Sequence, residues 1–233
     1  MTESQQGAVI KTQGVTKEYA DNGVPVKAVR GIDLTIDRGE FTAIVGPSGS
    51  GKTTFLNIIS GLDNPSGGKV YLAGRDLSQM SGSELSNYRR DHIGFIFQAY
   101  NLIPVLTVQE NVEYIMLLQG IERDERRERV QQVLEQLGLG KMISRRPPQL
   151  SGGQQQRVAV ARAIVSRPDL VLADEPTANL DSETAEDLIG LMRQLNEQDG
   201  TTFVFSTHDD RVIRHARRTV VLKDGKIKSD EIR

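Results

Sequence analysis

The run Gly46-Pro47-Ser48-Gly49-Ser50-Gly51-Lys52-Thr53-Thr54 gathers three glycines, one lysine and four hydroxyl side chains between the apolar stretch EFTAIV and the amphipathic stretch KTTFLNIIS. Glycines let a backbone bend around phosphate oxygens and aim its N–H groups inward, and the start of a helix adds partial positive charge. At this spacing Lys52 reaches the β- and γ-phosphates of a nucleotide, and the Thr53 hydroxyl offers an oxygen to Mg²⁺. A flexible Gly/Ser turn before a helix is the alternative. The pattern stands between a predicted strand and a predicted helix, which is the context phosphate binding requires.

Such a loop needs an acidic residue at the end of a neighbouring buried strand, and Leu170-Val-Leu-Ala-Asp174-Glu175 supplies two in succession. Asp174 would hold the magnesium, directly or through a water, and Glu175 would polarise the water that attacks the γ-phosphorus. Asp-Glu-Pro could instead be a solvated turn in which Glu175 caps the next helix. A third group, Leu150-Ser151-Gly152-Gly153-Gln154, precedes the helical stretch QQRVAVARAIV. Ser151 reads as an N-cap, and the bare glycine N–H groups beside it form a second anion site. Two phosphate sites with one nucleotide pocket suggest that the second serves a neighbouring molecule. A plain Ser/Gly cap is the competing reading.

The elements that must position these groups follow from periodicity. Residues Ala8 to Glu40 read as short antiparallel strands with turns, with alternating Val29, Ile32, Leu34 and Ile36 before the Arg38-Gly39 turn. EFTAIVG is a strand and KTTFLNIISGL a buried helix ended by Gly61; GGKVYLAGRDL reads as a hairpin or strand and IGFIFQ as a further strand. From about residue 99 to 166 the pattern is helical, an inserted helical subdomain within a single domain spanning 1–233. DLVLAD, SETAEDLIGLMRQLNEQDG and TTFVFSTHD form a β-α-β unit, and RTVVLKDGKIKSDE closes as a hairpin about Asp224-Gly225. Strands alternating with helices predict an α/β fold with a mainly parallel sheet covered on both faces.

Composition removes several classes of function. Lys+Arg number 29 against 31 Asp+Glu, a formal charge of -2, so no net positive field gathers nucleic acid and no nucleic-acid partner is expected. Zero cysteines exclude disulfides, thiolate catalysis and cysteine-held metal. No apolar run approaches the roughly 20 residues that span a bilayer, and MTESQQGAV lacks the pattern of a secretory leader. Any membrane role is therefore expected to come through a partner that supplies the spans.

Taken together, Gly46 to Thr53, Leu170 to Glu175 and Leu150 to Gln154 resemble the Walker A, Walker B and signature motifs of ATP-binding cassette (ABC) ATPases. That resemblance covers nearly the whole chain and implies a P-loop NTPase core with an N-terminal antiparallel β subdomain. It identifies Gln98 as the Q-loop glutamine, a further magnesium ligand, and His208 as the switch histidine that contacts the γ-phosphate and orders Glu175. Asn179-Leu180-Asp181 becomes the D-loop, and Tyr19 the aromatic that stacks on adenine. It implies a homodimer around two MgATP, in which Ser151, Gly152 and Gly153 of one subunit cover the nucleotide of the other. His208 could otherwise be a capping or surface histidine.

Within the family, Asn57 to Asp63, Ile93 to Val112 and Arg146-Pro147 are similar to the lipoprotein-releasing and macrolide-exporter ATPases, the LolD/MacB group; Arg145 and Ser206 depart from its usual wording. The chain would then lie in the cytoplasm, peripheral on the inner face of the cell membrane, with permease subunits docked near Gln98 and the helical subdomain. Leu102, Ile103, Val105 and Leu106 would line that docking groove or pack the subdomain's own core. An ATPase of the same superfamily acting on nucleic acid or ribosomes is the alternative; it usually carries a long coiled-coil insertion or tandem cassettes, which are not seen here. A nucleotide kinase sharing the phosphate loop is disfavoured by the Ser151 to Gln154 signature and the Asp174-Glu175 pair.

Overall fold

A computed structural model of the chain describes residues 7–21 and 24–233. Two long strands, β1 (Ala8–Asp21) and β2 (Val24–Asp37), pair antiparallel, and β4 (Gly67–Leu72) with the short β5 (Arg75–Asp76) extends them into a sheet of order β2-β1-β4-β5. Ile32, Leu34 and Ile36 are buried by strict alternation, and a register irregularity at Gly31, between the Arg30–Thr16 and Ile32–Val15 pairs, brings Val29 into the same apolar cluster.

The second sheet has six strands: β3 (Phe41–Val45), β6 (Ile93–Ile96), β7 (Leu170–Asp174), β8 (Phe203–Thr207), β9 (Arg218–Lys223) and β10 (Lys226–Ile232), in the order β10-β9-β3-β8-β7-β6. All neighbours in it are parallel except the β9-β10 hairpin, which turns at Asp224-Gly225. Period-2 alternation divides the core between its faces. Phe41, Ala43, Val45, Val171, Ala173, Phe203 and Phe205 point to one side, where they join α3 (Val108–Leu118), α4 (Arg123–Gln136), α5 (Gly152–Ile164), α6 (Ser182–Asp199) and α7 (Asp210–His215) in one apolar cluster. Ile44, Leu172, Val204 and Val220 point to the other, against α1 (Lys52–Ile59) and the antiparallel sheet. Strands buried on both faces read as continuous apolar runs, which is why EFTAIV and DLVLAD look as they do.

One element escaped the sequence reading: α2 (Gly82–His92), between the β4-β5 hairpin and β6. Its mean character is polar, so it has no apolar stripe to find. A signal was nevertheless present, since Ser81 and Glu84 form a reciprocal capping box, the S-x-x-E spacing of a helix start. Among the described residues no helix is long and apolar enough to cross a membrane.

Helix α5 lies directly on β6, and Gly94 makes this possible: a Cβ there would sit 2.1 Å from the backbone oxygen of Ala163. Backbone cannot move aside as a side chain can, so Gly94→Ala is expected to lower the free energy of unfolding by about 3 kcal/mol or more, read by chemical denaturation. Unchanged stability would mean that α5 is not held at this distance.

Candidate active site

Parallel register decides where the functional loops go. Val45 pairs with Thr207, Asp174 with Ser206 and Ile96 with Ala173, so β3, β8, β7 and β6 end level with one another. The segments that follow them carry, in spatial order, the phosphate loop, His208, Glu175 and Gln98. Ligands of open α/β sheets bind at this carboxyl edge. A cleft of about 730 Å³ lies instead at the amino ends of the strands, between Arg38, Asp169 and Thr202, and carries none of the residues singled out above.

The phosphate loop is wedged between two other segments. A Cβ on Gly46 would come within 2.1 Å of the Leu222 backbone oxygen, and one on Gly51 within 2.4 Å of that of Ala28; both residues have positive φ. Only glycine fits at either end. Pro47, Ser48 and Gly49 form the exposed tip, while Ser50 is buried with no hydrogen-bond partner for its Oγ among the described residues. Gly51 caps α1 without a side chain, leaving the N–H groups of the first turn open, whereas Ser81, Thr107, Ser151 and Asp181 cap α2, α3, α5 and α6 with their own oxygens. Buried Lys52 folds over the loop, donating to the backbone oxygens of Gly46 at 2.7 Å and Pro47 at 3.2 Å. Thr54 follows on the first turn of α1.

Thr53 joins this loop to the acidic strand. Its hydroxyl lies 3.3 and 3.2 Å from the two carboxylate oxygens of Asp174. A hydroxyl and a carboxylate converging in this way suit Mg²⁺, a hard cation that takes few protein ligands and keeps its remaining positions for phosphate and water. The next residue, Glu175, has φ +46°, which a non-glycine residue adopts only when its surroundings hold it there. Its Oε1 lies 2.7 Å from His208 Nδ1. Glu175 caps no helix; Asp181 caps α6, accepting from the Thr184 N–H at 2.9 Å and hydroxyl at 2.7 Å.

Gln98 is exposed on the turn after β6, and among the described residues no hydrogen bond links its amide to Thr53 or Asp174. Its backbone is well anchored. Asn179 donates to the Gln98 oxygen at 2.9 Å, and Arg162 of α5 donates to the backbone oxygens of Tyr100, at 2.9 Å, and Asn101, both residues at positive φ. Burial pulls the Arg162 pKa down, the mark of a guanidinium taken out of water. Gln156 of the same helix, fully buried, donates to the Pro176 oxygen at 2.7 Å, one residue past Glu175. Sequence reading missed both anchors because their partners are backbone atoms far away in the chain.

Ser151 and Gln154 form a capping box at the start of α5: the Gln154 N–H donates to Ser151 Oγ at 3.3 Å and Gln154 Oε1 accepts from the Ser151 N–H at 3.0 Å. Gly152 lies against Tyr100, and a Cβ on Gly153 would fall 2.4 Å from Thr184 Cγ2, so this group shares one corner with Asp181. No hydrogen bond among the described residues joins Ser151–Gln154 to the phosphate loop. Tyr19 is partly exposed; its hydroxyl donates to Asp63 at 2.7 Å while Lys17 bonds the other Asp63 oxygen at 2.6 Å and lies over the Tyr19 ring. The Lys17 and Tyr19 bonds hold the Asp63 carboxyl below its usual range against the opposing effect of burial. The groove-lining set divides: Leu102 packs on the core and Leu106 is half-buried, whereas Ile103 is 37% and Val105 71% exposed.

Comparison with known proteins agrees with this geometry. The family model described as ABC transporter matches residues 29–178. The macrolide export ATP-binding/permease protein MacB of Marinobacter nauticus is 46% identical over 222 residues, 95% of this chain but 34% of that protein, so the chain spans about a third of the exporters it matches. An ABC transporter ATP-binding protein of Methanocaldococcus jannaschii is 45% identical over 227 residues, 96% of this chain and 97% of its own. The dimeric structure of that cassette superposes with TM-score 0.87 over 96% of this chain and 98% of the cassette. A second structure, a post-hydrolysis dimer bound to ADP and Pi, gives TM-score 0.87 at 44% identity, with the same coverage. A match over more than half of the residues, together with a relative of nearly equal length at 45% identity, leaves one assignment: the chain belongs to the ABC transporter family, as an ATP-binding cassette.

Proposed function

We propose that the chain hydrolyses MgATP as one half of a homodimer and that this drives a membrane permease of the lipoprotein-release or macrolide-efflux type. The observation that carries this reading is the meeting of Lys52 and Thr53, Asp174 and Glu175, and His208 at the level ends of three adjacent parallel strands.

Lys52 and the open N–H groups at the start of α1 take up the phosphates of ATP. Thr53 and Asp174, with Gln98, would hold Mg²⁺, which would supply positive charge to offset that of the phosphates. Glu175 accepts a proton from the water that attacks the γ-phosphorus in line, ADP leaves on the opposite side, and His208 steadies the carboxylate. Tyr19, held by Asp63 and Lys17, stacks on adenine.

Dimerisation is supported by Ser151, Gly152 and Gly153, which lie at a helix start beside Asp181 and make no hydrogen bond to their own phosphate loop. They are available to the nucleotide of a second copy, and the homologous cassette has a dimeric structure. Charge-assisted bonds from both subunits to one γ-phosphate close the dimer, and hydrolysis removes them. A membrane partner is supported by the exporters, in which a matching cassette belongs to an ATP-binding/permease protein. Buried Asn111 braces the loop ahead of α3 through Ile103, Leu106 and Thr107, and turns Ile103 and Val105 outward near Gln98. With Tyr114, Leu117 and Leu118 exposed on α3, they form the apolar surface on which the permease docks, placing the chain on the cytoplasmic face of the membrane.

Glu175→Gln is expected to bind ATP and accumulate as a dimer on size exclusion with MgATP while hydrolysis falls by about 100-fold or more. Turnover near that of the parent chain would remove Glu175 from its role. The double variant Ile103→Asp, Val105→Asp is expected to lose permease on co-purification with hydrolysis by the isolated chain intact; undiminished co-purification would move the docking surface elsewhere.

A further inference from the structure

The Glu175 carboxylate is held at two points that differ in kind. His208, on Oε1, has a side chain 74% exposed and can leave its partner at little cost. The other oxygen, Oε2, accepts from the hydroxyl of Thr207 at 3.0 Å, and Thr207 is fully buried at the end of β8.

Thr207 has little freedom to do otherwise. Its Oγ1 also accepts the Asp209 N–H at 3.0 Å, and a hydroxyl has one hydrogen to give, so with that lone pair taken the hydrogen is directed to Glu175. Asp209 is itself fixed. Its carboxylate accepts from the buried Thr177 hydroxyl at 2.6 Å and from the Arg211 guanidinium at 2.8 to 3.0 Å. These bonds outweigh the effect of burial and hold the Asp209 pKa down, from 3.8 to about 2, so the carboxylate stays ionised. Thr177 stands two residues beyond Glu175. The chain therefore closes a ring, from Glu175 through Thr207 and Asp209 to Thr177 and back through Pro176, which ties the loop after β7 to the loop after β8. The Glu175 N–H adds a bond to the Ser206 oxygen at 2.8 Å.

We propose that Thr207 is a positioning residue for Glu175: its buried hydroxyl fixes one carboxylate oxygen throughout the cycle, so that the other can exchange between His208 and the attacking water without loss of aim. This deepens the reading of Glu175 as general base and rests on it. The Thr207 hydroxyl bonds Glu175 and Asp209 and none of the residues assigned to phosphate or Mg²⁺, so its removal should alter the rate of the chemical step and leave nucleotide binding alone.

The test uses the full chain with MgATP and compares Thr207→Val, which keeps the shape and loses the hydroxyl, with Thr207→Ser, which keeps the hydroxyl. Thr207→Val is expected to lower kcat about tenfold with KM for ATP within about twofold of the parent, and Thr207→Ser to restore most of the rate. In a Glu175→Gln background, where no carboxylate remains to be aimed, Thr207→Val should change the residual rate by less than about twofold. An unchanged kcat in Thr207→Val, equal impairment of the valine and serine variants, or a full tenfold loss in the Glu175→Gln background would each overturn the proposal. Thr207→Ala replaces the valine variant if that one does not fold, and failure of both to fold makes Thr207 structural, which also overturns it. Should Glu175→Gln alone turn over like the parent, the general-base reading falls first and takes this one with it.

Discussion

The structure depends on the parallel, level pairing of β3, β8, β7 and β6. Chemistry on a triphosphate needs an anion cradle, a cation site, a base and its partner within a few ångströms, and no short stretch of chain can supply all four. Parallel strands solve this by sending their following loops to a common edge. Each strand must then be apolar on both faces, and each crossover helix must cover it. That accounts for the two apolar clusters and for the close seat of α5 on β6.

Rigidity at this edge comes from backbone anchors more than from packing. Glu175, Tyr100 and Asn101 all sit at positive φ without being glycine, conformations that persist only where the surroundings over-determine them. Arg162 and Gln156 supply that restraint from α5, the helix that opens with Ser151. A displacement of this helix therefore has a direct mechanical route to the segments bearing Gln98 and Glu175. Arg162 and Gln156 serve two regions that the sequence separates by dozens of residues.

Much of this was legible beforehand. The phosphate loop, the Asp174-Glu175 pair and the Ser151 cap each follow from local rules, because a turn, a cap or a buried strand end leaves its mark within ten residues. The strand and helix order followed from periodicity, and α2 escaped because its polar surface has no stripe, although its capping box was in view. Leu102 was open to two readings, groove or core. An apolar residue in a loop looks the same whether it faces solvent or core, and the core won.

Types of residue and their spacing thus determined by themselves the chemistry this chain can perform and the strands on which it is carried, since both are properties of neighbours along the backbone. Only the tertiary structure decided which side chains meet: Thr53 with Asp174, Thr207 and His208 with Glu175, Arg162 with Tyr100 and Asn101. Those contacts join residues that are 32 to 121 positions apart. Distances of that order along a chain are fixed by sheet register and helix docking, which are settled by packing of the whole core and leave no local trace.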